Sequence, residues 1–184
     1  MPVIETRRLI LRPFTERDAA DLYAYASDPR VGPIAGWPPH RSEAESREII
    51  RTVFSQPGVF AIGYKETGAV VGSIGFVHTH PAGERADCPD DEVGYALSSA
   101  YWGRGLMPEA LAAVIRWGFE ELGLQRIWCA HYAGNWRSRR CMVKCGFRYQ
   151  FARVTRAELM GEERETYFYL LTKEDWLAHV SRSI

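Results

Sequence analysis

Between Ala96 and Ala110 the sequence reads strand, glycine turn and helix in quick succession, and this junction limits what the chain can fold into. Ala96-Leu97-Ser98 closes an extended run that begins near Glu92, and Gly103 and Gly105 follow at once. Leu111, Val114, Ile115, Phe119 and Leu122 then recur at helical spacing, which predicts an amphipathic helix over about Pro108–Leu122. Proline suits the first position of such a helix. The unpaired N–H groups and the positive dipole end of a helix start make a site for a phosphate or pyrophosphate. Gly103 and Gly105 permit the tight turn and a close approach of backbone to an anion. Pro108 has no N–H, so the cradle falls to the residues before it, and Arg104 can add a charge-assisted hydrogen bond. The same glycines also suit a plain strand-to-helix turn. The segment is neither a GxxxxGK[ST] loop nor a GxGxxG fingerprint.

Around this junction the pattern alternates. Leu9–Phe14 reads as a strand, and Thr15-Glu16-Arg17-Asp18 as a capping box with Asp for Glu, opening a helix to about Ser27. Three prolines and two glycines make Val31–His40 a loop, and Ser42 caps a second helix to about Ser55. Val59–Lys65 and Ala69–His78 form a hairpin across Glu66-Thr67-Gly68. After the junction come a strand (Arg126–Tyr132), a short helix (Asn135–Cys145), strands near Phe147–Thr155 and Glu165–Leu171, and a terminal helix over Glu174–Val180. The expected class is α/β of the α+β type: one mixed, mostly antiparallel sheet of six or seven strands with about four main helices.

The 184 residues suit one domain spanning 1–184. Lys and Arg total 23 and Asp and Glu total 23, a balance that lacks the electrostatic footprint of a nucleic-acid-binding domain. Cys88, Cys129, Cys141 and Cys145 form no CxxC pair and are expected to be reduced thiols. His78 and His80 share a strand face without a visible third ligand, so no metal is expected. With no signal-peptide h-region and no long apolar run, the reading is a cytoplasmic protein with no membrane association.

Trp102-Gly103-Arg104-Gly105-Leu106-Met107, the later Asn135-Trp136-Arg137-Ser138 and Lys144-Cys145-Gly146-Phe147, and the opening Thr6–Phe14 stand in an order that resembles the GCN5-related N-acetyltransferases. Within that superfamily the chain looks like the branch of bacterial ribosomal-protein N-terminal acetyltransferases, over roughly Glu5 to Trp176. The resemblance implies two splayed central strands with the pantetheine arm of acetyl-CoA between them, bonded like an added strand to Ala96, Leu97 and Ser98. It implies that the Leu97 N–H faces the thioester oxygen, and that the amides of Arg104, Gly105, Leu106 and Met107 hold the pyrophosphate. Trp102 and Met107 depart from the family's Arg/Gln-x-x-Gly-x-Gly/Ala turn.

The resemblance also assigns Asn135 to the pantetheine or substrate side, where it serves equally as an N-cap. Ser138 is the expected proton donor to the leaving thiolate, because the position that often holds a tyrosine is Met142. Glu92 is the expected base for the acceptor amine and reads equally as a solvated strand-end carboxylate, with Asp91 adjacent and of opposite parity; proximity alone can supply much of the rate. Tyr132 and Trp37, in the loop that walls the family's acceptor site, are candidate substrate contacts; Trp37 also reads as a core plug. His131 reads as structural, and Arg137, Arg139 and Arg140 as phosphate ligands or a solvated face. The implied function is direct transfer of acetyl from acetyl-CoA to a primary amine, of a protein N-terminus or a small molecule, with homodimers frequent in the family. A non-catalytic acyl-CoA sensor on the same fold is the alternative.

Overall fold

Seven consecutive buried residues, Val70–Phe76, mark β4 as the centre of the sheet, covered on both faces and apolar but for Ser73. The computed structural model describes residues 1–79, 81 and 88–181, without the His179 side chain. The other strands are β1 (Ile4–Glu5), β2 (Leu9–Arg12), β3 (Val59–Tyr64), β5 (Asp90–Leu97), β6 (Arg126–Tyr132), β7 (Arg148–Ala157) and β8 (Glu162–Thr172). The helices are α1 (Ala19–Ala26), α2 (Gly32–Ala35), α3 (Glu43–Ile49), α4 (Leu106–Glu120), α5 (Trp136–Lys144) and α6 (Lys173–Ser181). The order across the sheet is β1-β2-β3-β4-β5-β6-β8-β7. Among the described residues only β5 and β6 pair in parallel; every other neighbouring pair is antiparallel.

Two cores follow from the alternation of β2 and β3. Leu9, Leu11, Phe60 and Ile62 pack with Leu111, Val114, Ile115 and Phe119 of α4. Ala61, of opposite parity, faces Leu22 and Tyr25 of α1 and Ile50 just beyond α3. The expected mixed, mostly antiparallel sheet is present with eight strands, the additional one being β1, whose two residues are too few to show an alternation. The loop expected at Val31–His40 holds α2, where Pro33 is tolerated in the first turn and Gly36 ends the helix at φ +96°. Helix α4 begins two residues ahead of Pro108, so proline is its third residue, and Leu122 lies past its end and is 46% exposed. The second helix continues from α3 as a π-helical turn over Ile50–Phe54.

The capping box at Thr15 is present, with Asp18 nearly buried. Its carboxylate takes both Arg12 nitrogens at 2.7 and 2.8 Å and the Thr15 N–H at 2.7 Å. Burial pushes the Asp18 carboxyl up, but the Arg12 and Thr15 bonds outweigh it and hold it below the usual range. A lowered carboxyl stabilises the fold above its unfolded pKa and loses that contribution as pH falls through the folded value. Asp18→Asn is expected to cost about 2 kcal/mol near neutral pH, read from urea unfolding, since it strands a partly exposed Arg12. The difference from wild type should shrink below about pH 4.

Candidate active site

Strands β5 and β6 pair only at Asp90↔Arg126, Asp91↔Ile127 and Glu92↔Trp128. Beyond that point β5 runs on against β4 to Leu97, and β6 runs on against β8 to Tyr132. The two strands part, and the sheet opens into a cleft bordered by backbone. Val77 N bonds Glu92 O at 2.9 Å and Ser98 N bonds Val71 O at 2.8 Å. Antiparallel alternation between these two contacts directs the backbone groups of Gly94, Ala96 and Ser98 at β4, and those of Tyr95 and Leu97 into the opening. The Leu97 N–H thus faces the cleft as expected. The groups placed beside it are those of Tyr95; Ala96 lines the cleft without offering its amide, and Ser98 is occupied by β4. The register, which settles this, is invisible in one strand's sequence.

The turn after β5 is held from three sides. Trp102 Nε1 donates to Leu97 O at 2.9 Å, so the aromatic that departs from the family turn closes it. Asp28 accepts from Ser99 Oγ at 2.5 Å. Arg8 Nη1 donates to Arg104 O at 2.9 Å, while Glu109 accepts from Arg8 Nε and Arg8 N at 2.7 Å each and from Thr6 Oγ1 at 2.6 Å. Gly103 and Gly105 take φ +77° and +73°, conformations that L side chains rarely adopt. Gly105 caps α4, so the amides of Gly105, Leu106 and Met107 open the helix without intrahelical partners, ahead of the donorless Pro108.

Two cavities meet at this gap. One, of about 380 Å³, follows the turn and is lined by Leu97, Gly103, Gly105, Leu106 and Met107. The other, of about 550 Å³, lies over the second half of the sheet and is lined by Glu92, His131, Tyr132, Arg153 and Phe168. Ile34, Ala35, Tyr95, Asn135 and Ser138 line both, so these five stand at the junction. Asn135 caps α5, accepting from Ser138 N at 3.2 Å, and its Nδ2 lies 3.4 Å from Ile34 O. Ser138 is 8% exposed, with its Oγ 2.9 Å from the Tyr95 hydroxyl.

Several expected contacts lie elsewhere. Arg104 does not line the cleft; its guanidinium lies 5.0 Å from the Tyr101 ring. The cations on the cleft come from α5: Arg137, 4.4 Å over the Trp102 ring, with Arg140 and Lys144. Arg139 turns away to Tyr169 at 3.2 Å. Trp37 lines neither cavity and packs near His40 with its rings 5.4 Å apart, the core-plug reading, while Ile34 and Ala35 of the same loop make the wall. A Cβ at Gly32 would sit 2.5 Å from Trp37, so the half-buried indole packs directly on the Gly32 backbone.

Glu92 and Asp91 divide as parity predicts. Asp91 is buried against His78, taking its N and Nδ1 at 2.8 Å each; His80 lies outside the described residues. Glu92 faces the larger cavity with Thr79 Oγ1 at 2.5 Å. Burial lifts the Glu92 carboxyl above the usual range, and the Thr79 bond and the Arg153 charge offset only part of the rise. His131 bonds Tyr132 O at 2.9 Å, so Nδ1 carries its proton. Among the described residues its Nε2 is buried without a partner, and burial depresses its pKa, keeping the ring neutral. Tyr95, Arg8, Glu109 and Arg153 were not singled out for the site by sequence; only their placement across the sheet brings them to it.

A gap between parallel strands, amides facing it and a glycine-capped helix start beside it are the features that the resemblance to the acetyl-CoA-dependent acetyltransferases implies. Residues 8–148 match the Acetyltransferase (GNAT) domain family. The chain belongs to the GNAT family of acetyl-CoA-dependent N-acetyltransferases. It is 32% identical over 158 residues to the uncharacterized N-acetyltransferase YoaA of Bacillus subtilis, covering 79% of this chain and 82% of that protein. The [ribosomal protein uS5]-alanine N-acetyltransferase of Escherichia coli is 26% identical, with 94% of this chain and 92% of that protein covered. In fold it is similar to a GNAT-family acetyltransferase from Bacillus anthracis, with a TM-score of 0.81 at 24% identity over 94% of this chain and 99% of that one.

Proposed function

We propose that the chain acts as one domain that moves acetyl directly from acetyl-CoA to a primary amine within a ternary complex. The observation that carries this reading is the junction of the two cavities at Tyr95, Asn135 and Ser138. A thioester reaching the end of the narrower cavity meets an amine entering from the wider one, with no covalent relay between them.

In this reading the pantetheine arm bonds the backbone of Tyr95 and Leu97, and the amides of Gly105, Leu106 and Met107 hold the pyrophosphate with Arg137, Arg140 and Lys144 nearby. The Leu97 N–H stabilises the oxygen on which charge develops. An alkyl ammonium has a pKa near about 10, so Glu92, directly or through a water, takes its proton before the nitrogen attacks. When the C–S bond breaks, Ser138 gives its hydroxyl proton to the thiolate and takes the second proton of the attacking nitrogen, held in place by the Tyr95 hydroxyl at 2.9 Å. The relatives' names favour a protein N-terminus as acceptor, and a small amine fits the same cavity.

Initial velocities measured over both substrates test this: intersecting lines are expected, whereas parallel lines would show an acetyl-enzyme and sink the direct route. Gly105→Val, forced into a left-handed conformation, is expected to weaken acetyl-CoA binding about tenfold or more by titration.

A further inference from the structure

The wider cavity has an unusual charge pattern for a site that receives an amine. Among the described residues its lining carries one carboxylate, Glu92, and two guanidinium groups, Arg153 and Arg156. Arg156 is answered by Glu158 at 3.3 Å. Arg153 is not: among the described residues no carboxylate stands within ion-pair distance of it. Its guanidinium lies instead over two aromatic rings, 4.9 Å from the Phe168 centroid and 5.7 Å from that of Phe151. Those rings are themselves stacked, 5.0 Å apart, so the guanidinium rests on a rigid platform.

The register explains the placement. Arg153 stands opposite Thr166, and Thr166 stands opposite Tyr132 on the strand that leads to Asn135. The Arg153 charge is close enough to draw the Glu92 carboxyl down against its burial. Thr155 and Thr166, bonded through their hydroxyls at 2.6 Å, line the same cavity. Arg153 is exposed to solvent and shares the cavity with Glu92, and a purely cationic acceptor such as a diamine would set its second ammonium against a like charge here. An acceptor with an anionic group would answer it.

We propose that the acceptor carries a carboxylate as well as the reactive amine, with Arg153 binding the carboxylate while the amine lies at Glu92 and Ser138. The inference rests on the transfer reading above and narrows its substrate class. Two sources share this chemistry: a free amino acid, and a peptide N-terminus followed by an acidic side chain. Arg153 is a specificity residue in this scheme. Its planar fork meets a carboxylate through two parallel N–H···O bonds, which a carboxamide cannot match in charge.

The test is a comparison of matched acid and amide acceptors, with acetyl-CoA as donor: free amino acids against their α-amides, and short peptides with Asp second against their Asn counterparts. In at least one pair the wild type should favour the acid about tenfold or more in kcat/KM. Arg153→Gln should bring that ratio close to one, and Arg153→Lys should restore part of it. A preference confined to free amino acids, or to peptides, identifies the source. A wild type that favours amides or diamines, or a ratio unchanged in Arg153→Gln, overturns the proposal. If acetyl-CoA binds but no amine is acetylated, the transfer reading fails by itself. The acid-to-amide ratio of Kd for the protein–CoA complex, with and without Arg153→Gln, then decides the carboxylate site on the same terms.

Discussion

Ser138→Ala is expected to lower kcat by about a hundredfold while leaving the affinity for acetyl-CoA nearly unchanged. The hydroxyl sits where the two cavities meet, is 8% exposed and is held 2.9 Å from the Tyr95 hydroxyl. Alanine removes one oxygen and disturbs little else, because the Asn135 cap bonds the Ser138 backbone rather than its side chain. The loss belongs to the breaking of the C–S bond, so single-turnover rates should fall with kcat. Tyr95→Phe should fall less, since water can replace a group that only holds Ser138 in place. A drop confined to acetyl-CoA binding, with kcat intact, would remove Ser138 from the chemistry.

Glu92→Gln is expected to lower kcat/KM for the amine by about a hundredfold near neutral pH and to change the shape of the pH profile. Glu92 must be ionised to accept a proton, and burial lifts its carboxyl above the ordinary range. The wild-type profile should therefore rise with pH through a limb lying above the ordinary glutamate range, with a second rise as the acceptor ammonium ionises. Glutamine cannot titrate and removes the first limb only. The stability sign is opposite to that at Asp18: a raised carboxyl favours the fold below its unfolded pKa and loses that contribution as pH rises through the folded value. The variant should thus unfold at the same or a higher urea concentration than wild type at neutral pH, which separates a catalytic loss from a damaged fold. An unaltered pH profile would assign the limb to another group.

Much of the architecture was legible because its signals are local. Helical spacing in Leu111, Val114, Ile115 and Phe119 located α4, and Ser42 and Asn135 each cap the helix that follows them. The limits of α4 were two residues off because Pro108 reads as a first helical residue, yet a left-handed Gly105 starts the helix earlier. The candidate site was legible where it lies on one contiguous segment, as at Gly103–Met107 and Asn135–Ser138. It was not where it depends on strands far apart in sequence. Nothing in β7 alone tells that Arg153 shares a cavity with Glu92, and nothing in β5 alone tells that Tyr95 reaches Ser138. Side-chain direction was the other blind spot: Arg104 and Trp37 lie on the expected segments, but one covers Tyr101 and the other packs half-buried against the second core.

The central claim is that the opening between β5 and β6, with the helix start beside it, is an acetyl-CoA site. Calorimetric titration of the purified protein with acetyl-CoA tests it most directly. One molecule is expected to bind per chain with a micromolar Kd, weakened in Gly105→Val and nearly unchanged in Arg153→Gln. Heats indistinguishable from dilution, with a folded wild type, would contradict the site and everything derived from it.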